Sequence, residues 1–235
     1  MSNTPGSIAS RAVLALSSRA RRKRGATFRR TFVVDEHTKI LDLGSESGSN
    51  IHAILQGTRV NPANVYIADI DAALLEKGRQ RFGFVPVLIE ESKPLPFPDQ
   101  YFDIVYCSSV IEHVTVRKEE VWSMSSGSEF KRASLDRQRE FAAEVKRTAK
   151  QYFVQTPYRY FPIESHSWLP FVAWLPRRVL IPVLRFTNSF WIKQTKPDWH
   201  LLNKKLLAEL FEEAQIVTES FFGLTKSIMA IKVQR

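Results

Sequence analysis

Gly44 and Gly48 bracket Ser45, Glu46 and Ser47 directly after the apolar residues Ile40, Leu41 and Leu43. Glycine suits a turn in which the backbone must approach a ligand closely or adopt a positive φ. The amides that open the following helix would then face whatever lies over the strand end. A loop between any strand and helix could carry the same glycines. The next apolar run, Val65-Tyr66-Ile67-Ala68, ends at Asp69-Ile70-Asp71. Asp69 stands where an open α/β sheet presents a carboxylate to a ribose diol, whereas Asp71, just before Ala72-Ala73-Leu74-Leu75, predicts a helix N-cap. His113 and His166 add imidazoles whose ordinary pKa suits a general base. Either could instead be structural, satisfying backbone groups or fastening the Trp168 segment.

These groups need a sheet with helices between its strands. The spacing predicts strands at Ile40–Leu43, Val65–Ala68, Val85–Ile89, Phe102–Cys107 and Tyr152–Gln155, with helices from Ile51, over Ala72–Arg81, and over a face marked by Leu135, Phe141, Ala142, Val145 and Ala149. Pro94, Pro96 and Pro98 forbid a helix before the fourth strand. Val116–Arg132 reads as a loop or lid. Trp168–Ile192 is aromatic and aliphatic but interrupted by Pro170, Pro176 and Pro182, and reads as short helices capping the active site, an interfacial surface or part of an oligomer contact, of which the capping reading is the least demanding. Asn203 is expected to cap a helix through Phe211. Gln215–Phe221 and Lys226–Val233 read as a hairpin turning at Gly223.

The runs Leu41-Asp42-Leu43-Gly44-Ser45-Glu46-Ser47-Gly48, Ala68-Asp69-Ile70-Asp71, Pro94 to Val105 and Ser109-Val110-Ile111-Glu112-His113-Val114, in that order, resemble the class I S-adenosylmethionine-dependent methyltransferases of the type 11 group. Phe153 to His166 and Phe222 to Ser227 resemble a bacterial subgroup of that family. The resemblance implies an α/β, doubly wound, seven-stranded and mostly parallel sheet with a C-terminal antiparallel hairpin and a helical cap insertion. It implies S-adenosylmethionine as cofactor, held by Asp42, Gly44, Ser45, Gly48, Asp69, Ile70, Glu91, Ser92 and Ser108, with Glu91 accepting from the adenine amino group. On such a sheet His113 follows the fourth strand and His166 the fifth, so both could face the cleft as catalytic candidates, Arg159, Tyr160 and Glu164 would line the acceptor pocket on the same geometry, and methyl transfer from a sulfonium requires no metal. Transfer would be a direct in-line displacement, here expected at an oxygen of a small-molecule, glycan or lipid-linked acceptor. Glu46 stands where many relatives carry a small residue. It must point to solvent, or the fold has become a non-catalytic binding module. A nicotinamide oxidoreductase is a third reading, disfavoured by the antiparallel hairpin.

The 235 residues, 44% of them hydrophobic, can bury one good core, and the lone Cys107 excludes an internal disulfide. Eight of the 34 basic residues precede the first acid, Asp35, which leaves 26 basic against 24 acidic groups beyond it. Charge concentrated in one arm over a near-neutral body is not a DNA-binding footprint. The expected division is a basic arm over residues 1–34, with a helix over Ile8–Arg30, and a domain over 35–235 whose cap insertion spans about 160–200. A cytoplasmic protein is expected. Arg177, Arg178, Arg185 and the arm could add peripheral contact at the inner membrane face.

Overall fold

The computed structural model describes residues 22–234, so residues 8–21 of the expected N-terminal helix lie outside it. Two compact units divide the chain, one ending at Leu88 and the other beginning at Ile89. Seven strands follow the sheet order β3-β2-β1-β4-β5-β7-β6. This is the mixed sheet expected of the methyltransferase-type fold.

In the first unit, helix α1 covers residues 22–31. It is no free arm: Phe28 and Phe32 are buried, and Arg29 Nη1 donates to the Ile54 carbonyl at 2.7 Å. Strand β1 (Ile40–Leu43) is buried along its whole length and pairs in parallel with β2 (Val65–Asp69), which pairs in parallel with β3 (Val85–Leu88). The edge position of β3 tolerates Pro86, which has no N–H for a further ladder. Helix α2 (Ser49–Leu55) starts at Gly48, and α3 (Ala72–Phe82) starts at Asp71, whose carboxylate accepts the Ala73 and Leu74 N–H groups. That cap is the one expected from the sequence.

In the second unit, β4 (Phe102–Ser108) and β5 (Ala149–Pro157) run parallel. Strands β6 (Gln215–Phe221) and β7 (Leu224–Lys232) then add the antiparallel hairpin, with β7 against β5. Helix α4 spans Gly127–Thr148, so residues 127–132 are helical rather than loop. Its buried stripe runs Phe130, Ser134, Gln138, Ala142, Val145. Two polar members interrupt the apolar period, which hides the first turns from a hydrophobicity pattern.

The segment rich in Trp, Phe and Pro folds around a core of Leu169, Val172, Leu180, Leu184, Trp199 and Leu201. Helix α5 (Arg177–Thr187) runs through Pro182, which was expected to interrupt it. Pro182 and Arg178 are both exposed, so the carbonyl four residues back that loses its donor can take water instead. Arg177, expected at a membrane surface, is buried beneath α5. Helix α6 (Lys204–Leu210) is capped by Asn203, which accepts the Leu206 N–H. Among the described residues no helix is long and apolar enough to cross a membrane.

Candidate active site

The glycine turn of the first unit is built by β2. Ala68 O accepts the N–H groups of Gly44 (2.8 Å) and Ser45 (3.3 Å), while Asp69 accepts the Glu46 N–H through Oδ2 (2.8 Å) and the Asp71 N–H through Oδ1 (3.1 Å). Gly44, Glu46 and Gly48 all have positive φ, at 72°, 51° and 69°. Glu46 therefore occupies a left-handed position that a side chain rarely adopts, and its exposed side chain leaves the turn as the sequence required. A Cβ on Gly48 would lie 2.9 Å from Ile67 and 3.1 Å from Phe84, so close packing as well as φ demands glycine there.

Below the turn two polar atoms are buried with no hydrogen-bond partner: Asp42 Oδ2 and Ser45 Oγ. Burial, with Asp69 nearby, holds the Asp42 carboxyl well above the usual carboxylate range. A buried oxygen without a donor is costly. A ligand carrying hydroxyl and ammonium donors would relieve it, and S-adenosylmethionine carries both. Ile70, at 43% exposure, leaves an apolar side chain at the β2 end.

In the second unit Glu91 is exposed, 3.6 Å from Lys118, and Ser92 Oγ accepts from Arg137 at 2.8 Å. Ser108 Oγ donates to Gln155 Oε1 at 2.6 Å, and Ser109, with φ 61°, donates its N–H to Gln155 O. One β5 residue thus pins the kink that leads out of β4. A single 3-10 turn follows at Ile111–His113.

That turn delivers Glu112 and His113 to the loop after β5. The His113 and His166 rings meet edge to face at 4.5 Å. His166 Nδ1 lies 2.6 Å from Glu164 Oε1, and His166 Nε2 lies 3.7 Å from Glu112 Oε1. Glu112 is fully buried; its Oε2 accepts from Thr156 Oγ1, while its Oε1 has no hydrogen-bond partner. Burial alone would lower the His166 pKa, but the Glu112 and Glu164 carboxylates override it and raise it to about 9. Burial would likewise raise Glu164, yet the His166 and Ser167 contacts hold it at about 2. His113 Nδ1 lies 3.4 Å from Asp198 Oδ1. Burial opposes ionisation of Asp198, but the His113 contact wins and keeps its carboxyl below the usual range. Glu164, expected to line the acceptor pocket, is buried and engaged by His166 and Ser167. Arg159 is half-buried and Tyr160 is exposed against Tyr158.

Residues 41–125 match a family model described as a methyltransferase domain. The chain is similar to the ubiquinone/menaquinone biosynthesis C-methyltransferase UbiE of Cupriavidus taiwanensis, at 25% identity over 215 residues that cover 84% of this chain and 74% of that protein. Against the protein of the same description from Vibrio parahaemolyticus the identity is 32% over 92 residues, covering 37% and 35%. Residues 41–125 of the chain are a methyltransferase domain. Among solved structures, the magnesium protoporphyrin IX methyltransferase (ChlM) of Synechocystis PCC 6803 with bound SAH superposes with a TM-score of 0.54 at 11% identity, covering 99% of this chain and 90% of that one. This last likeness speaks for the fold.

The methyltransferase uses S-adenosylmethionine as its cofactor, and Asp69→Ala should weaken its binding by about 1.5–3 kcal/mol through loss of charge-assisted hydrogen bonds. The same change frees the Glu46 and Asp71 amides, so the cofactor-free protein should also melt earlier. Asp71→Ala removes only the α3 cap, about 1 kcal/mol, and should leave affinity nearly intact. Titration calorimetry with paired melting curves separates the two; equal losses of affinity would remove Asp69 from the site.

Several residues of the methyltransferase cluster escaped sequence reasoning. Asp198, Trp199 and His200 return from a distant segment: His200 N donates to Glu112 O at 2.7 Å, and Thr115 Oγ1 donates to Asp198 O at 2.9 Å. Gln138 Nε2 donates to the Ile111 and His200 carbonyls, which leaves its Oε1 to accept from a protonated His200 Nδ1 at 2.9 Å. Burial, with Arg159 and Lys131 nearby, lowers the His200 pKa to about 4. Between that value and about 6.5 the unfolded chain binds a proton that the folded one refuses. The neutral His200 contribution is therefore complete above about pH 6.5 and lost as pH falls through 4, by up to about 3 kcal/mol. Denaturant unfolding of wild type and His200→Asn should show their stability difference shrinking across that window; a pH-independent difference would refute it.

Proposed function

We propose that the enzyme methylates a hydroxylated small molecule whose reacting end meets the His113–His166 cluster. The observation that carries this reading is the convergence of two imidazoles, edge to face, beside one buried carboxylate with an unpartnered oxygen. Bound S-adenosylmethionine supplies a methyl group on a sulfonium, an already activated leaving group. The chain must then orient the acceptor, exclude water and stabilise the ionised hydroxyl that acts as nucleophile. Glu164 and Asp198 orient the two rings through Nδ1. Arg159 and Tyr160 are assigned to the acceptor's outer portion, and Glu91, Ser92 and Ser108 to the cofactor. Transfer to oxygen is the simplest outcome. Ring ionisation also makes an adjacent aromatic carbon nucleophilic, which is the chemistry implied by the C-methyltransferase names of the relatives.

The test is incubation with ¹³C-methyl-labelled cofactor and a panel of phenols, quinols and sugar alcohols, with the methyl carbon read by NMR. An O-methyl or aromatic C-methyl resonance supports the reading, and His113→Ala should lower kcat roughly 100- to 10,000-fold with cofactor affinity unchanged. Methylation confined to amines or thiols would overturn it.

A lipid-linked acceptor is a second reading, favoured by one observation: Phe186, Phe190 and Ile192 are 62–70% exposed around the end of α5. Flotation with anionic vesicles at low and high salt tests it. A protein that stays in the soluble fraction at low salt excludes membrane delivery.

A further inference from the structure

We infer that Glu112, His113 and His166 form a binding site for a divalent first-row transition cation. The three residues can each offer one ligand atom, and these atoms lie within 4.8 Å of one another. A four-coordinate ion with bonds of about 2.1 Å places its ligand atoms about 3.4 Å apart. Glu112 Oε1 and His166 Nε2 already lie 3.7 Å apart, so small side-chain rotations complete the set.

Independent of that proximity, Glu112 Oε1 is buried and accepts no hydrogen bond. Its partner oxygen is tied to Thr156 and the peptide beside it to His200, so the carboxylate is held rigidly toward the histidines with one acceptor position unused. In the absence of an ion the nearest positive charge is the His166 imidazolium, 3.7 Å from this oxygen and beyond hydrogen-bond distance, and a bound metal ion would take the place of its proton. The two histidines are prepared alike. Glu164 engages Nδ1 of His166 at 2.6 Å, and Asp198 faces Nδ1 of His113 at 3.4 Å, which leaves Nε2 on each ring for a ligand. A carboxylate on the far nitrogen is the usual outer partner of a metal-bound histidine, fixing its orientation and raising its basicity.

Two imidazoles and one carboxylate favour zinc, manganese or iron over magnesium or calcium, and three protein ligands leave coordination positions open. The acceptor's hydroxyl oxygen would occupy one of them. Coordination lowers the pKa of a bound hydroxyl, so the oxygen meets the methyl group already ionised and its proton passes to solvent. This use of the cation rests on the acceptor reading given above; the cation site itself does not.

The test uses untagged full-length protein stripped with chelator. Zn²⁺ is titrated by calorimetry, Mn²⁺ binding is followed by the loss of its free-ion EPR signal, and Co²⁺ is followed by visible absorption. The expected result is one ion per chain, with affinity at least tenfold lower in each of Glu112→Gln, His113→Gln and His166→Gln. Half-exposed His113 guards against misfolding of the buried variants, and far-UV circular dichroism verifies each fold. No stoichiometric binding by wild type of any of the three ions, or equal binding by the folded His113→Gln variant, would overturn the site. If one ion binds but chelation leaves methyl transfer unchanged, the site stands and its role toward the acceptor falls.

Discussion

Gly78→Val is expected to destabilise the protein by about 3 kcal/mol and to abolish measurable cofactor binding. Gly78 lies in the middle of α3, and a Cβ built there would stand 2.5 Å from Ile67 Cδ1, 2.7 Å from Ser47 O and 3.1 Å from Ser47 C. The Ile67 methyl is the end of a flexible side chain and can turn away. Ser47 O cannot, because it belongs to the backbone of the glycine turn between Gly44 and Gly48. Its φ is not in the left-handed region, so contact alone demands glycine. The helix must then retreat from the turn, or the turn must move, and either displaces the amides of the turn, to which the proposed site assigns the cofactor. Gly78→Ala recovers about 1 kcal/mol of helix propensity against the same first clash, so it should cost roughly 1 kcal/mol in stability while still weakening binding. Guanidinium unfolding and titration calorimetry read the two effects separately. A valine variant with wild-type stability and affinity would show that α3 does not rest on the turn.

Gly78 also marks what the sequence conceals. The turn after β1, the α3 cap at Asp71, the alternation of strands and helices and the C-terminal hairpin all rest on local spacing, and each can be read along the chain. Gly78 sits among Glu76, Lys77 and Arg79 and carries no local signal, since its reason lies in a turn thirty residues earlier. The same holds for the histidine cluster. Glu112 meets Thr156 across 44 residues, and Thr115 meets Asp198 across 83. No periodicity links such positions, although the types Glu, His and Asp were in view. Glu164 shows what burial adds to such a reading. Its type and its place beside His166 suggested a pocket wall, whereas burial turned it into a support for the ring. The same cluster is also why a metal, which methyl transfer does not require, becomes arguable only from the folded geometry.

Arg177→Ala is expected to cost about 4 kcal/mol, although Arg177, Arg178 and Arg185 look interchangeable as surface cations in the sequence. Arg177 is 7% exposed. Its guanidinium donates to Met124 O at 2.6 Å, Pro197 O at 2.8 Å and Val121 O, and it lies 3.5 Å over the Phe130 ring. Burial lowers its pKa to about 10, partly offset by Asp198, so it remains charged at neutral pH. Alanine would strand three carbonyls, at about 1–3 kcal/mol for a buried group left unsatisfied, and would open a cavity beside Phe130. Because Arg177 joins Val121 and Met124 to Pro197, next to Asp198, the loss should also loosen the histidine cluster. Lysine keeps the charge but cannot present a planar fork to three acceptors, and should recover about half. Arg178→Ala, on the exposed side of α5, should stay within about 0.5 kcal/mol of wild type. Thermal and denaturant unfolding of the three variants decides the matter. Equal effects of Arg177→Ala and Arg178→Ala would mean that the guanidinium does not bind the segments beneath α5, and would return Arg177 to the surface role that its neighbours in sequence suggest.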